Sequence, residues 1–175
     1  MDKVPPAQAR PMMMNVGSKL VERSIFSALQ RIIRSNAPKT DATVAQISLR
    51  TGRSFIMLAE AKKITDIKRE DLIEVADYDP ARHAAIYMGK AQPGQFLTLL
   101  WFLYRACSDV GAIVILPAPE GRELPLVVPS LEYETPQACL ASLPFFRSHR
   151  AARVSGEEAV YLLKSLDELG PLLVK

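Results

Sequence analysis

The chain has 175 residues, 49% of them hydrophobic and 23% charged, which supplies one globular core and excludes a disordered, highly charged polymer. Its 22 Lys and Arg stand against 19 Asp and Glu for a net charge of +3, a surplus too small and too dispersed to mark a nucleic-acid-binding surface. The longest apolar run, Phe96 to Tyr104, falls far short of the roughly 20 residues that span a bilayer, so no membrane segment is expected.

The N-terminal stretch MDKVPPAQARPMMMNVG is interrupted by three prolines and lacks the continuous apolar core of a signal peptide. It is expected to form a flexible or partner-docked arm over 1–17, followed by a single domain over 18–175 in the cytoplasm. Val21, Ile25, Leu29 and Ile32 recur at helical spacing and predict a first helix from about Ser18 to Arg34, stopped by Asn36 and Pro38. Val44 to Arg50 and Arg53 to Leu58 read as strands of a hairpin around Thr51-Gly52, whose glycine supplies the positive φ that tight turns require. Lys68 to Leu72 reads as a short helical turn, and Ile73 to Tyr78 and His83 to Met88 as strands parted by Asp79-Pro80.

A helix from about Pro93 to Cys107 is apolar on nearly every face, so it must be covered on more than one side. Ala112 to Leu116 reads as a buried strand and Leu126 to Val128 as a second one, followed by a short helix over Pro136 to Leu143. A strand near Arg150 to Val154 is expected to lead into a last helix, opened by Ser155, carrying Leu162, Leu163 and Leu166 on one face and closed by Gly170-Pro171. Cys107 and Cys139 sit in apolar contexts without metal-ligand spacing. They are expected to be buried thiols in a reducing compartment, with a mutual disulfide as the other reading. The element order predicts an α/β protein: a three-layer α/β/α arrangement on a mainly antiparallel central sheet, with the first and last helices packed against it.

Three segments resemble the class II aldolase/adducin family in order and spacing: DATVAQISLR (41–50), FIMLAEAKKITDIKREDLIEV (55–75) and PGQFLTLLWFLYRACSDVGAIVIL (93–116). The first matches the family's Gly-Asn-x-Ser phosphate loop. The second matches a strand, a Thr-Pro-Ser-Gly phosphate turn and a Leu-x-x-Glu-Asp-Leu-Val helix start. The third matches a Ser-Ser-Glu-x-x-x-His helix and a buried strand ending in His-x-His. With Ser155 to Leu169, likened to the family's closing Glu-Glu-Ala helix, the likeness covers about residues 18 to 169.

What the resemblance implies about chemistry is mostly loss. The family's zinc histidines fall on Ile115 and Pro117, its acid/base glutamate on Phe96 and its helix histidine on Leu100, none of which binds a metal or moves a proton. The whole chain has only His83 and His149, too few for a three-histidine site under any alignment. His149, in RSHRAAR, falls near the third zinc histidine but about two residues out of register with Gly156-Glu-Glu-Ala. It reads more simply as a polar residue in a basic strand, and His83 as structural.

At the phosphate site Ala45 and Gln46 replace Gly-Asn, and Glu60-Ala61 replaces Ser-Gly. A carboxylate about 5 Å from a phosphate dianion costs about 2 kcal/mol even in water, although Lys62 and Lys63 follow at once. Gln46, Ser48, Lys62 and Lys63 are therefore the candidate ligand-binding residues for a small anion, although a strand serine such as Ser48 is usually just a surface hydroxyl. No catalytic residue, metal ligand or cofactor is assigned. The basic set Arg105, Arg147, Arg150 and Arg153 reads as an anion patch or as an edge strand protected from aggregation.

Three functions compete. One is a non-catalytic protein with a binding, scaffold or regulatory role, as a homo-oligomer or with a paralogous subunit, because the family includes adducin heads without zinc chemistry. The next is a sugar-phosphate-related lyase or epimerase with relocated, zinc-independent groups such as Glu60, Lys62, Lys63 and His149. The last is a nucleic-acid or anion-binding module, disfavoured because no aromatics interleave its basic stretches.

Overall fold

The computed structural model describes residues 8–11, 23, 25–27, 29–31, 43–119, 123–125, 135–154 and 157–173. Ten strands are described: β1 (Gln8–Pro11), β2 (Thr43–Val44), β3 (Gln46–Thr51), β4 (Ser54–Leu58), β5 (Lys62–Lys63), β6 (Leu72–Asp79), β7 (Ala84–Met88), β8 (Ala112–Pro117), β9 (Ala151–Arg153) and β10 (Glu158–Leu163). Eight of them form one sheet in the order β1-β7-β6-β4-β3-β8-β10-β9, and β2 and β5 form a separate antiparallel ladder. Every pairing in the large sheet is antiparallel except that of β1 with β7. Four residues of the expected N-terminal arm thus lie in an edge strand.

Helices cover both faces. Alternation along β4 and β8 separates Phe55, Met57, Ile113 and Ile115 from Ile56, Leu58, Val114 and Leu116, and the two sets belong to two distinct buried clusters. The first cluster is completed by helix α2 (Leu97–Ala106) and by Cys139 and Phe146 of α3 (Pro136–Ser148). The second is completed by Ile25 and Leu29 of helix α1, within 23–31, and by Leu169 and Leu173 of α4 (Leu169–Leu173). This is the expected three-layer arrangement around a mainly antiparallel sheet.

Local chemistry sets the details. Gly52 takes φ 73° at the β3–β4 turn, a conformation that costs glycine nothing. A bulge between Val75 and Asp77 in β6 shifts the alternation, so Tyr78 joins Ile73 and Val75 in the cluster under α2. Helix α3 runs beyond the expected Leu143 to Ser148 with Pro144 inside it. Both cysteines are free and buried, and burial pushes the Cys139 thiol up to about 12. The strand expected over Leu126 to Val128 lies outside the described residues.

The largest departure from expectation is the C-terminus. The segment read as a helix over Ser155 to Leu169 contains strand β10, which pairs with β8 on one side and β9 on the other. A short 3-10 turn (Leu166–Glu168) and α4 follow, and Gly170-Pro171, expected to close a helix, lie inside α4. In β10 Val160 and Leu162 face one core while Ala159, Tyr161 and Leu163 face the other. A strand covered on both faces is apolar throughout, and a short apolar run has no periodicity to separate it from a buried helix.

Candidate functional site

The segments that carry the family resemblance converge at one end of the sheet: the start of β3, the turn after β4, the loop before α2 and the end of β8. Gln46 lies opposite Ile115 across the β3–β8 ladder, and the Ala45 N–H donates to the Ile115 carbonyl at 3.0 Å. The loop before α2 is drawn against the turn after β4. A Cβ placed on Gly94 would sit 2.4 Å from the Ala59 carbonyl oxygen, so only glycine permits this approach.

The candidate ligand residues divide into two inside and two outside. Gln46 is 1% exposed; its amide donates to the Leu58 carbonyl at 2.9 Å and accepts from the Leu58 N–H at 2.8 Å. The side chain thus stands in for a missing rung of the β3–β4 ladder. Ser48, expected at the surface, is fully buried. Its hydroxyl donates to the Ile113 carbonyl at 3.2 Å and meets the Tyr104 hydroxyl at 2.9 Å. Burial pushes that phenol far above its ordinary range.

Lys62 and Lys63 lie on the short outer ladder, opposite Val44 and Thr43. Lys63 is exposed. The Lys62 ammonium is paired with the Asp71 carboxylate and lies 3.7 Å from Glu60. Asp71 also accepts the Lys68 backbone N–H at 2.8 Å, closing the turn before β6. The Asp71 hydrogen bond is the largest influence raising the Lys62 pKa. For Asp71, burial acts upward, but the Lys62 hydrogen bond, the Lys68 N–H and both lysine charges bring the net value below the usual carboxylate range. Sequence reasoning missed this partner; Asp71, at the third position after Lys68, was the available capping signal.

The positions matched to the family's zinc and acid/base groups form an apolar wall. Phe96 is 3% exposed and Leu100 and Ile115 are fully buried, in one cluster with Leu103 and Tyr104. Pro117, by contrast, is exposed at the end of β8. The donor set does not fit a zinc ion, since Phe96, Leu100, Ile115 and Pro117 carry no ligating side-chain atom. Among the described residues no group of three His, Cys, Asp or Glu is placed to hold a metal.

The two histidines lie on separate elements. His83 precedes β7 at φ 50° and its Nδ1 meets the Tyr78 hydroxyl at 2.7 Å. His149, expected in a strand, caps the end of α3 with its ring stacked on Phe145 at 4.1 Å. Of the basic set, Arg150 pairs with Asp109, Arg153 belongs to the edge strand β9, and Arg105 lies over the Trp101 ring at 4.2 Å.

No protein-family model and no curated protein matches the sequence. Solved structures do match. The chain is similar to an L-fuculose 1-phosphate aldolase at TM-score 0.62 and 12% identity, covering 92% of this chain and 82% of that one. It is similar to YgbL from Escherichia coli at TM-score 0.60 and 13% identity, covering 91% and 85%. An L-fuculose-1-phosphate aldolase from Thermus thermophilus aligns at TM-score 0.58 and 19% identity over 86% and 89%. The fold is therefore class II aldolase-like. Among the described residues no helix is long and apolar enough to cross a membrane.

Proposed function

We propose that this chain is a non-catalytic protein on a class II aldolase-like scaffold, acting through binding, scaffolding or regulation. The observation that carries the reading is the packed wall of Phe96, Leu100 and Ile115 at positions the resemblance assigns to acid/base and zinc chemistry. Two further facts support it: Gln46 and Ser48 spend their polar groups inside the fold, and Lys62 is held by Asp71. A homo-oligomer or a complex with a paralogous subunit in the cytoplasm suits a chain whose remaining role is contact. A zinc-independent lyase or epimerase built on Glu60, Lys62, Lys63 and His149 draws less support, because His149 caps α3 and stacks on Phe145.

The test is elemental analysis of protein purified without chelator, together with its mass in solution and an assay for sugar-phosphate cleavage. Substoichiometric zinc, no cleavage and a defined oligomer are expected. One equivalent of zinc per chain, or turnover above the uncatalysed rate, overturns the proposal.

A further inference from the structure

The opposite end of the same sheet carries a cavity of about 400 Å³, lined by Arg50, Arg53, Ser54, Phe55, Trp101 and Arg105 among others. The topology keeps it apart from the aldolase-like site. Strand β3 enters at Gln46 and leaves at Thr51, and α2 enters at Leu97 and leaves at Ala106, so the cavity lies where both elements end. Arg50 is fixed there: its Nε donates to the Val110 carbonyl at 2.8 Å, and its Nη2 to Tyr104 and Cys107 at 2.7 and 2.8 Å. These bonds cap the C-terminus of α2 and leave Nη1 unused by any of them. The guanidinium also lies 5.0 Å from the Tyr104 ring centre, as Arg105 lies over Trp101.

Three guanidiniums therefore line one cavity whose floor is aromatic and largely buried. Among the described residues no carboxylate lines it. Asp109, next to the lining residue Ser108, is taken by Arg150, and Ser54 is the hydrogen-bond donor to Glu74 at 2.8 Å. Among the described residues none of Arg50, Arg53 and Arg105 is in an ion pair. Like charges gathered without counter-charges repel one another, and a low-dielectric floor strengthens any field they make. An oxyanion relieves that repulsion and accepts planar guanidinium donors.

From this we infer that the cavity is a binding site for a small, multiply charged oxyanion, a phosphate ester or a dicarboxylate, distinct from the aldolase-like site and independent of whether that site is catalytic. Trp101 is the only tryptophan of the chain and lines the cavity, so its fluorescence reports on the site directly. Titration with inorganic phosphate and with succinate, each against chloride at matched ionic strength, is expected to give a saturable change with at least one; which one separates the two ligand sources. Arg53→Ala combined with Arg105→Gln should weaken that binding by about tenfold or more, the loss of charge-assisted hydrogen bonds. Lys90→Ala, an exposed lysine outside the cavity lining, should leave it unchanged. Responses to phosphate and succinate that merely follow chloride, or a double variant that keeps its folded circular dichroism and binds as well as the original, would overturn the site.

Discussion

The two ends of the central sheet have reached opposite electrostatic solutions on one framework. At the end where β3 begins, polar groups are satisfied: Gln46 bonds to Leu58 and Ser48 to Ile113 and Tyr104 inside the fold, and Lys62 pairs with Asp71 on the outer ladder. At the end where β3 finishes, Arg50, Arg53 and Arg105 face a cavity without a described carboxylate partner. A packed, internally satisfied end and a charged cavity thus stand on the same strand and helix, a few residues apart. The difference lies in where charge is left uncompensated, because buried polar groups that already have partners offer nothing to a ligand.

The sharpest way to break this contrast is to hollow out the filled end. Phe96→Ala should cost about 3 to 5 kcal/mol in a denaturation experiment, and a loss below about 1 kcal/mol would show that the apolar wall is not a packed core. Gln46→Leu should follow with about 1 to 3 kcal/mol, since it leaves the buried Leu58 N–H and carbonyl without their amide partner; urea unfolding of the two proteins side by side measures it.

Asp71→Ala should cost about 1 kcal/mol through the lost cap on the Lys68 N–H, and its pH dependence sharpens the assignment. Because the folded Asp71 carboxyl titrates below its unfolded value, its contribution is fully present above about pH 4 and fades as the pH falls through the folded value. Lys62 is raised instead, so its share persists up to about pH 10 and fades only above the unfolded lysine range. Denaturation midpoints of the original and variant proteins should therefore converge in acid; a gap that stays constant down to about pH 2 would mean Asp71 acts through packing. The smallest effect belongs to the basic end, where Arg53→Ala should change stability by no more than about 0.5 kcal/mol. A larger loss would recast that exposed arginine as structural.

The expected architecture was legible wherever the sequence carried punctuation or a distinct period. Thr51-Gly52 marked the β3–β4 turn, Asp79-Pro80 the break between β6 and β7, and the all-round apolar character of Leu97 to Tyr104 marked a helix covered by both sheet and α3. The candidate site was legible only through the family resemblance: at the positions it assigns to zinc and acid/base groups, Phe96, Leu100 and Ile115 carry no ligating or proton-transferring atom.

Tertiary structure decided the rest. The run EAVYLL is a strand because β8 and β9 offer it hydrogen-bonding edges and two cores take its alternate faces, and neither the edges nor the cores are written within the run itself. Ser48 is buried rather than exposed because Tyr104, 56 residues further on, is delivered above it by α2. The partners of Lys62 and Arg50 are likewise set by where the turn before β6 and the end of α2 come to rest. Composition and periodicity fix which faces must be covered, whereas pairing edges, long-range hydrogen bonds and charge compensation depend on contacts between segments far apart in the chain.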